Sequence, residues 1–297
     1  MRRYDAAVAA RLDSFARPSA PARRAVIDGA IVAGLLFAAY LFLVIAPAAG
    51  TFGFDAYSYW SVDQADPYGV PWGVLGAFPY SPPIVRMCAP FALLPFWQFL
   101  WLWSAILAGT AIWLGGRPVR PIVSVFAFPP VALELYHGNI HLLLAAAIAL
   151  GFRYPWTWSF VLLTKVTPGV GLAWFAVRRE WKPLLVALGV TGAIAGVSYA
   201  LDPQAWADWL AFNLGNTATG APANQFSISI PLWARLLAAL ALVAWGGLTD
   251  RRWTVPVAAT LALPALWPAG LAVLAALWPI AQRRPQLEAP QPRWRPR

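Results

Sequence analysis

Residues 25–49 read AVIDGAIVAGLLFAAYLFLVIAPAA, with Asp28 as the single charge. About 20 apolar residues cross the hydrocarbon of a bilayer, so this run is long enough to span. The 24 residues before it are polar and carry Arg2, Arg3, Arg11, Arg17, Arg23 and Arg24. They do not form the apolar core of a cleavable signal peptide. The reading is an uncleaved first transmembrane helix with its N-terminus in the cytoplasm. The rest of the chain agrees. Of 297 residues 60% are hydrophobic and 11% charged, with mean hydropathy +0.59, whereas soluble domains carry about 25% charged residues. A soluble enzyme, a secreted disulfide scaffold and a disordered chain are excluded. One cysteine, Cys88, rules out an internal disulfide and a cysteine-based zinc cage.

Apolar runs and their breakers place further spans near 88–115, 119–135, 139–151, 155–166, 168–178, 182–201, 227–247, 252–266 and 267–282. The fold expected is an all-α polytopic membrane bundle of about 8–10 transmembrane helices. Several are short, and those around 139–178 and 252–282 read as half-depth hairpins covered by other protein. Alternating the spans puts 19 of the 22 basic residues on one side, the cytoplasmic one. The net charge of +10 thus faces anionic lipid and does not imply nucleic acid. The expected organisation is a cytoplasmic segment 1–24, a transmembrane domain 25–282 and a basic cytoplasmic tail 283–297. Loops 50–87 and 202–226 fall outside, and both termini inside, a multi-pass protein of the inner (plasma) membrane.

Three basic residues escape the rule: Arg86, Lys165 and Arg235. A charge at membrane depth costs roughly 2.5–3.5 kcal/mol on insertion scales and usually has a partner or a task. For Lys165, in Thr164-Lys165-Val166-Thr167-Pro168-Gly169, the readings are an anionic phosphate, with Thr164 and Thr167 as further donors, or snorkelling to water. The first outer loop begins Gly53-Phe54-Asp55-Ala56-Tyr57-Ser58-Tyr59-Trp60. If helical, it puts Asp55, Tyr59, Asp63 and Asp66 on one face. Asp63 and Asp66 read as solvated acids in an aromatic belt. Asp55, close to the membrane and flanked by aromatics, suits general-base work. Asp66-Pro67-Tyr68 and Tyr80-Ser81-Pro82-Pro83 make a stiff connector or an acceptor wall. Glu134, His137 and His141 have metal-ligand spacing on an unbroken helix, but Gly138-Asn139 marks a turn between them. No metal or cofactor is expected; the turn reads as polar and satisfied, or as a hydrogen-bonding contact for substrate.

In order and spacing these motifs resemble the GT-C membrane glycosyltransferases of glycosyltransferase family 87. The resemblance runs from about residue 25 to 215. It rests on Asp55-Ala56-Tyr57-Ser58-Tyr59, Asp66-Pro67-Tyr68, the Tyr80-Ser81-Pro82-Pro83 lead-in and the Gly138-Asn139 turn. Lys165-Val166-Thr167-Pro168 and Arg178-Arg179-Glu180-Trp181-Lys182 complete it. The departures are Ser81, where the family commonly has proline, a short chain, and no matching motif after 215. The resemblance implies a GT-C-like bundle with a long first extracytoplasmic loop. It also implies inverting transfer of a hexose, mannose first, from a polyprenyl-phosphate-linked sugar to a lipid or glycan acceptor. Asp55 is then the general base and Lys165 the donor-phosphate contact, with Arg235 and Arg86 as further candidates. Tyr57, Tyr59, Tyr80, His137, Asn139 and His141 are the expected substrate contacts. A transporter or flippase of lipid-linked sugar also fits broken helices and intramembrane charge, and a non-catalytic membrane subunit is a third class. The long outer loop with its aromatic acid motif favours the enzyme.

Overall fold

Ser19 opens the first helix. Its hydroxyl accepts a hydrogen bond from the Ala22 amide at 3.3 Å, and Pro21 sits in the first turn, two signals that start helices. The helix, α1, therefore begins ahead of the apolar run and spans Ala20–Ala49. Pro47 lacks an N–H, and just before it the ladder slips into a π-turn at Leu41–Ile45, with the Ala46 amide donating to the Leu41 carbonyl. The structure is a computed structural model and describes residues 19–218 and 230–282. Most of the expected N-terminal segment, the tail 283–297 and part of the second long loop lie outside the described residues.

Among the described residues every regular element is helical. After α1 come α2 (Phe54–Ser61), α3 (Pro82–Cys88), α4 (Phe96–Gly115), α5 (Val119–Phe126) and α6 (Pro129–His137). Then follow α7 (His141–Gly151), α8 (Trp158–Thr164), α9 (Thr167–Val177), α10 (Trp181–Leu201) and α11 (Pro203–Ala218). The chain ends in α12 (Leu232–Leu248), α13 (Thr254–Leu261) and α14 (Ala269–Gln282).

By length and composition three of these can cross a membrane: α1 with 30 residues, α4 with 20 and α10 with 21. A fourth crossing is available if α5 and α6 count as one broken span, bent by 67°. The bend falls at Phe128-Pro129-Pro130, where proline both removes a ladder donor and disfavours helix in the residue before it. The expected 8–10 spans thus reduce to three or four of full length. The remaining apolar segments sit close to where the sequence puts them, but Gly and Pro stop them short.

The protein sorts its helices by length. α1 and α10 bury little of their length and turn Leu36, Leu43, Leu185 and Val197 outward. Lipid is the solvent that accepts such a surface. The short α7, α13 and α14 pack against one another in the middle. There Leu142, Leu144, Ile148, Ala258 and Leu263 are fully buried. Alanines at 145, 149, 272, 275 and 276 bring these backbones close, the usual packing of helices within a membrane.

The second long loop is in large part a helix, α11. Asp202 caps it, its carboxylate accepting from the Ala205 amide at 3.1 Å, and Pro203 follows. This Asp-Pro start signal is present in the sequence. α11 then docks on the first loop, with Trp209 Nε1 donating to the Pro79 carbonyl at 3.0 Å.

Candidate functional site

Asp55 lies in the first turn of α2, where a carboxylate favours the exposed N–H groups of the helix start. The helix is anchored by its preceding residue: the Gly53 amide donates to the Tyr136 carbonyl at the end of α6 (2.9 Å). α6 stops at Gly138, which has φ +71°. A β-carbon there would sit 2.7 Å from the β-carbon of Ala56. Glycine thus meets two demands at once, a left-handed stop and contact with α2. Trp103 of α4 seals the turn by donating to the Gly138 carbonyl at 2.6 Å.

This construction sets Asn139 beside Asp55. Asn139 Nδ2 donates to Asp55 Oδ2 at 2.8 Å. Its Oδ1 accepts from the Ile140 amide at 2.7 Å and from the Tyr59 hydroxyl at 3.3 Å. Tyr59 and Tyr80 meet hydroxyl to hydroxyl at 2.9 Å. Both are buried, and desolvation holds each phenol well above its ordinary range, so both stay neutral hydrogen-bonding groups. α2 ends at Ser61, so Asp63 and Asp66 do not continue the face of Asp55. Asp63 instead accepts from the Ala65 amide in a local turn (2.8 Å).

Lys165 arrives from another part of the chain. α8 stops at Thr164, and Lys165 is extended. Ser81 ties this stop to the Tyr80 strand of loop: its hydroxyl donates to the Leu163 carbonyl at 2.6 Å, and its amide donates there at 3.4 Å. Lys165 Nζ consequently lies over the Tyr80 ring, 5.9 Å from the centroid. On its other side Nζ meets His141 Nε2 at 3.1 Å. His141 Nδ1 meets Glu134 Oε2 at 2.9 Å. The Glu134 carboxylate also accepts the backbone amides of His141 and Leu142, the first two residues of α7.

The site therefore has two layers. Asp55, Asn139 and Lys165 are partly exposed, while Tyr59, Tyr80, Glu134 and His141 are buried behind them. Asp55 and Lys165 form no ion pair among the described residues. A carboxylate and an ammonium, each partly exposed, are thus left unpaired with each other.

Four expected site residues lie elsewhere. Tyr57 packs its ring on Trp60 and Phe96. His137 closes α6 with its ring edge-on to Tyr136, and no hydrogen bond joins it to the cluster among the described residues. Arg86 pairs with Asp202 at 3.1 Å and donates to the Gln64 carbonyl, bracing the first loop against α11. Arg235 is buried and donates to the carbonyls of Ile230, Leu261, Leu263 and Pro264 at 2.6–3.0 Å. It closes the C-terminus of α13, as a cation with a planar fork can. The hydroxyl of Thr164 bonds back to its own helix, and that of Thr167 is buried without a partner among the described residues.

Two supporting elements escape sequence reasoning. Glu134 and His141 are grouped in the sequence by ligand spacing on an unbroken helix, but they meet as a hydrogen-bonded pair across the break at Gly138. Ser81 reads only as a missing proline, although proline there has neither the amide nor the hydroxyl that Leu163 receives.

The chain matches the sequence model of glycosyltransferase family 87 over residues 78–290. No curated protein and no solved structure matches it.

Proposed function

Because the chain belongs to glycosyltransferase family 87, we propose that this membrane glycosyltransferase moves a hexose, mannose first, from polyprenyl phosphate to a hydroxyl of a lipid or glycan acceptor. Transfer takes place on the extracytoplasmic face of the inner membrane and inverts the anomeric carbon. Asp55 is the general base. Its Oδ2 is held by Asn139, and its second oxygen takes the acceptor proton. As the acceptor oxygen bonds to the anomeric carbon, the bond from that carbon to the phosphate oxygen breaks. The departing polyprenyl phosphate gains negative charge, and the Lys165 ammonium offsets it.

The observation that carries this reading is the separation of Asp55 from Lys165. In a single displacement the nucleophile and the leaving group occupy opposite sides of the sugar carbon. The base and the phosphate-binding cation must then stand a sugar apart, unpaired, on one accessible surface. The partial exposure of both groups and the buried layer behind them support it.

The test is reconstitution. Purified protein is supplied with polyprenyl-phosphate mannose, with other polyprenyl-phosphate hexoses and with lipid acceptors, and released polyprenyl phosphate is measured. Release that depends on acceptor and is lost in Asp55→Asn is expected. Release that survives Asp55→Asn in folded protein places the base elsewhere. Movement of intact donor across the bilayer, with no cleavage, replaces the enzyme reading with the transporter one.

A further inference from the structure

Behind Lys165 stand Glu134 and His141, which the transfer step does not itself use; with Lys165 they make a trio. Glu134 is fully buried and His141 is 3% exposed. A buried carboxylate, imidazole and ammonium in line can hold their protons in few ways, and the contacts here select one. Glu134 Oε1 accepts the backbone amides of His141 and Leu142, and Oε2 meets His141 Nδ1 at 2.9 Å. An ammonium has donors and no acceptor, so the atom that faces Lys165 Nζ at 3.1 Å, His141 Nε2, must present a lone pair. A protonated imidazole would set N–H against N–H there, and so would the neutral ring with its hydrogen on Nε2. With Glu134 ionised and Lys165 charged, as the transfer step needs the ammonium to be, the neutral Nδ1–H tautomer is the one that satisfies both neighbours. The trio then sums to zero charge, which a buried position requires.

The position of Lys165 explains why such a device exists. Asp55 reaches the Tyr59–Tyr80 pair through Asn139, and Lys165 lies over the ring of that same Tyr80. A lysine stem is flexible, and an untethered ammonium would close on Asp55 and quench the base. We infer that Glu134 and His141 are positioning residues: Glu134 fixes the His141 tautomer, and His141 Nε2 holds the Lys165 ammonium back from Asp55 and toward the leaving phosphate. The inference rests on the assignment of Lys165 given above. Two further contacts complete the tether. Gly270 of α14 borders the imidazole, and a β-carbon there would stand 3.7 Å from Nε2 and crowd Leu263 at 2.9 Å. The Tyr80 face borders the ammonium on another side. Of the three ammonium N–H groups His141 takes one, and the others are available to a phosphate.

The chain has two histidines, His137 and His141, so selective 15N-histidine labelling gives a readable spectrum in nanodiscs, with a His137→Gln sample to assign it. The resting protein is expected to show His141 with a protonated Nδ1 and an unprotonated Nε2. In Glu134→Gln the amide oxygen takes the two backbone N–H groups and the amide nitrogen donates to Nδ1, which moves the ring proton to Nε2. That variant is expected to swap the tautomer and to weaken polyprenyl phosphate binding about 10- to 100-fold, with donor KM rising alongside. His141→Asn is expected to show a similar loss. A wild-type spectrum in which His141 carries Nε2–H or a doubly protonated ring overturns the inference, and that measurement needs no turnover. Wild-type polyprenyl phosphate affinity in folded Glu134→Gln and His141→Asn also overturns it. The reading of Lys165 fails differently, through unchanged phosphate affinity in Lys165→Met with the tautomer intact.

Discussion

Asn139 uses both ends of its amide beside Asp55: the nitrogen holds the carboxylate, and the oxygen receives Tyr59 and the start of the α7 turn. Two residue-scale outcomes follow from that geometry. Asp55→Asn keeps shape and removes the base, so transfer is expected to fall by about 10²–10⁴-fold in the polyprenyl phosphate release assay. Asn139→Leu leaves the base but frees its orientation, and a smaller loss, about 10-fold, is expected in the same assay. Gly138→Ala is a different kind of change. It combines a left-handed backbone with a β-carbon 2.7 Å from Ala56. The expected cost is about 2–4 kcal/mol, measured as a lower unfolding midpoint in detergent, with activity falling as α2 shifts. Asp55, Asn139 and Lys165 stand out in the sequence as candidates, because each sits beside a breaker or a charge anomaly. Their meeting was not: it depends on Trp103, Ala56 and Leu163, apolar or backbone partners that no motif marks.

Among the elements, the α8 stop and the Tyr80 loop behave as one unit joined at Ser81. Ser81→Ala removes the hydroxyl bond to Leu163 but keeps the amide, for an expected loss of about 1 kcal/mol. Ser81→Pro removes both bonds and is expected to loosen Lys165 from the Tyr80 face. Donor KM in Ser81→Pro should therefore exceed that in Ser81→Ala, and equal values would show that the bonds carry no positioning. Arg235 supplies the contrast. Its guanidinium satisfies three backbone carbonyls at the end of α13 and that of Ile230 ahead of α12, so Arg235→Met is expected to cost at least about 3 kcal/mol of stability while donor KM in the folded fraction stays unchanged. The sequence flagged Arg235 as a charge without a topological reason, which was correct as an anomaly. Its partners are carbonyls, which every residue carries, so spacing holds no trace of them. α11 illustrates the opposite case. Asp202-Pro203 is a readable cap, but the polar residues after it outweighed the signal.

For the whole molecule, orientation is the quantity that sequence counting and the proposed chemistry share. Cys88 is buried, so single cysteines introduced elsewhere report with little background. An impermeant thiol reagent is expected to label Ser58→Cys in intact cells and Lys182→Cys only after lysis. The reverse pattern would put Asp55 on the cytoplasmic face and remove a donor presented from outside. The segment pattern was legible because apolar runs and Gly or Pro breaks are local. The number of full crossings was not, since a run of 11 residues such as α7 reads like part of a span until its neighbours are known to cover its ends.

That difference in length reaches beyond the protein. α1 extends about 45 Å, whereas α12, with 17 residues and Trp233, Leu237, Leu240 and Leu248 turned outward, extends about 26 Å. Hydrocarbon about 30 Å thick is too thin for one flank and too thick for the other. The long helix tilts or lifts the leaflet; the short one draws the headgroups inward by a few ångströms, at a cost of fractions of a kcal/mol per ångström. A bilayer that matches α1 is too thick for α12, so shorter acyl chains are expected beside α12. Turnover in vesicles of graded acyl length is expected to peak below the thickness of an ordinary bilayer, so the composition of the lipid annulus becomes a rate-setting variable.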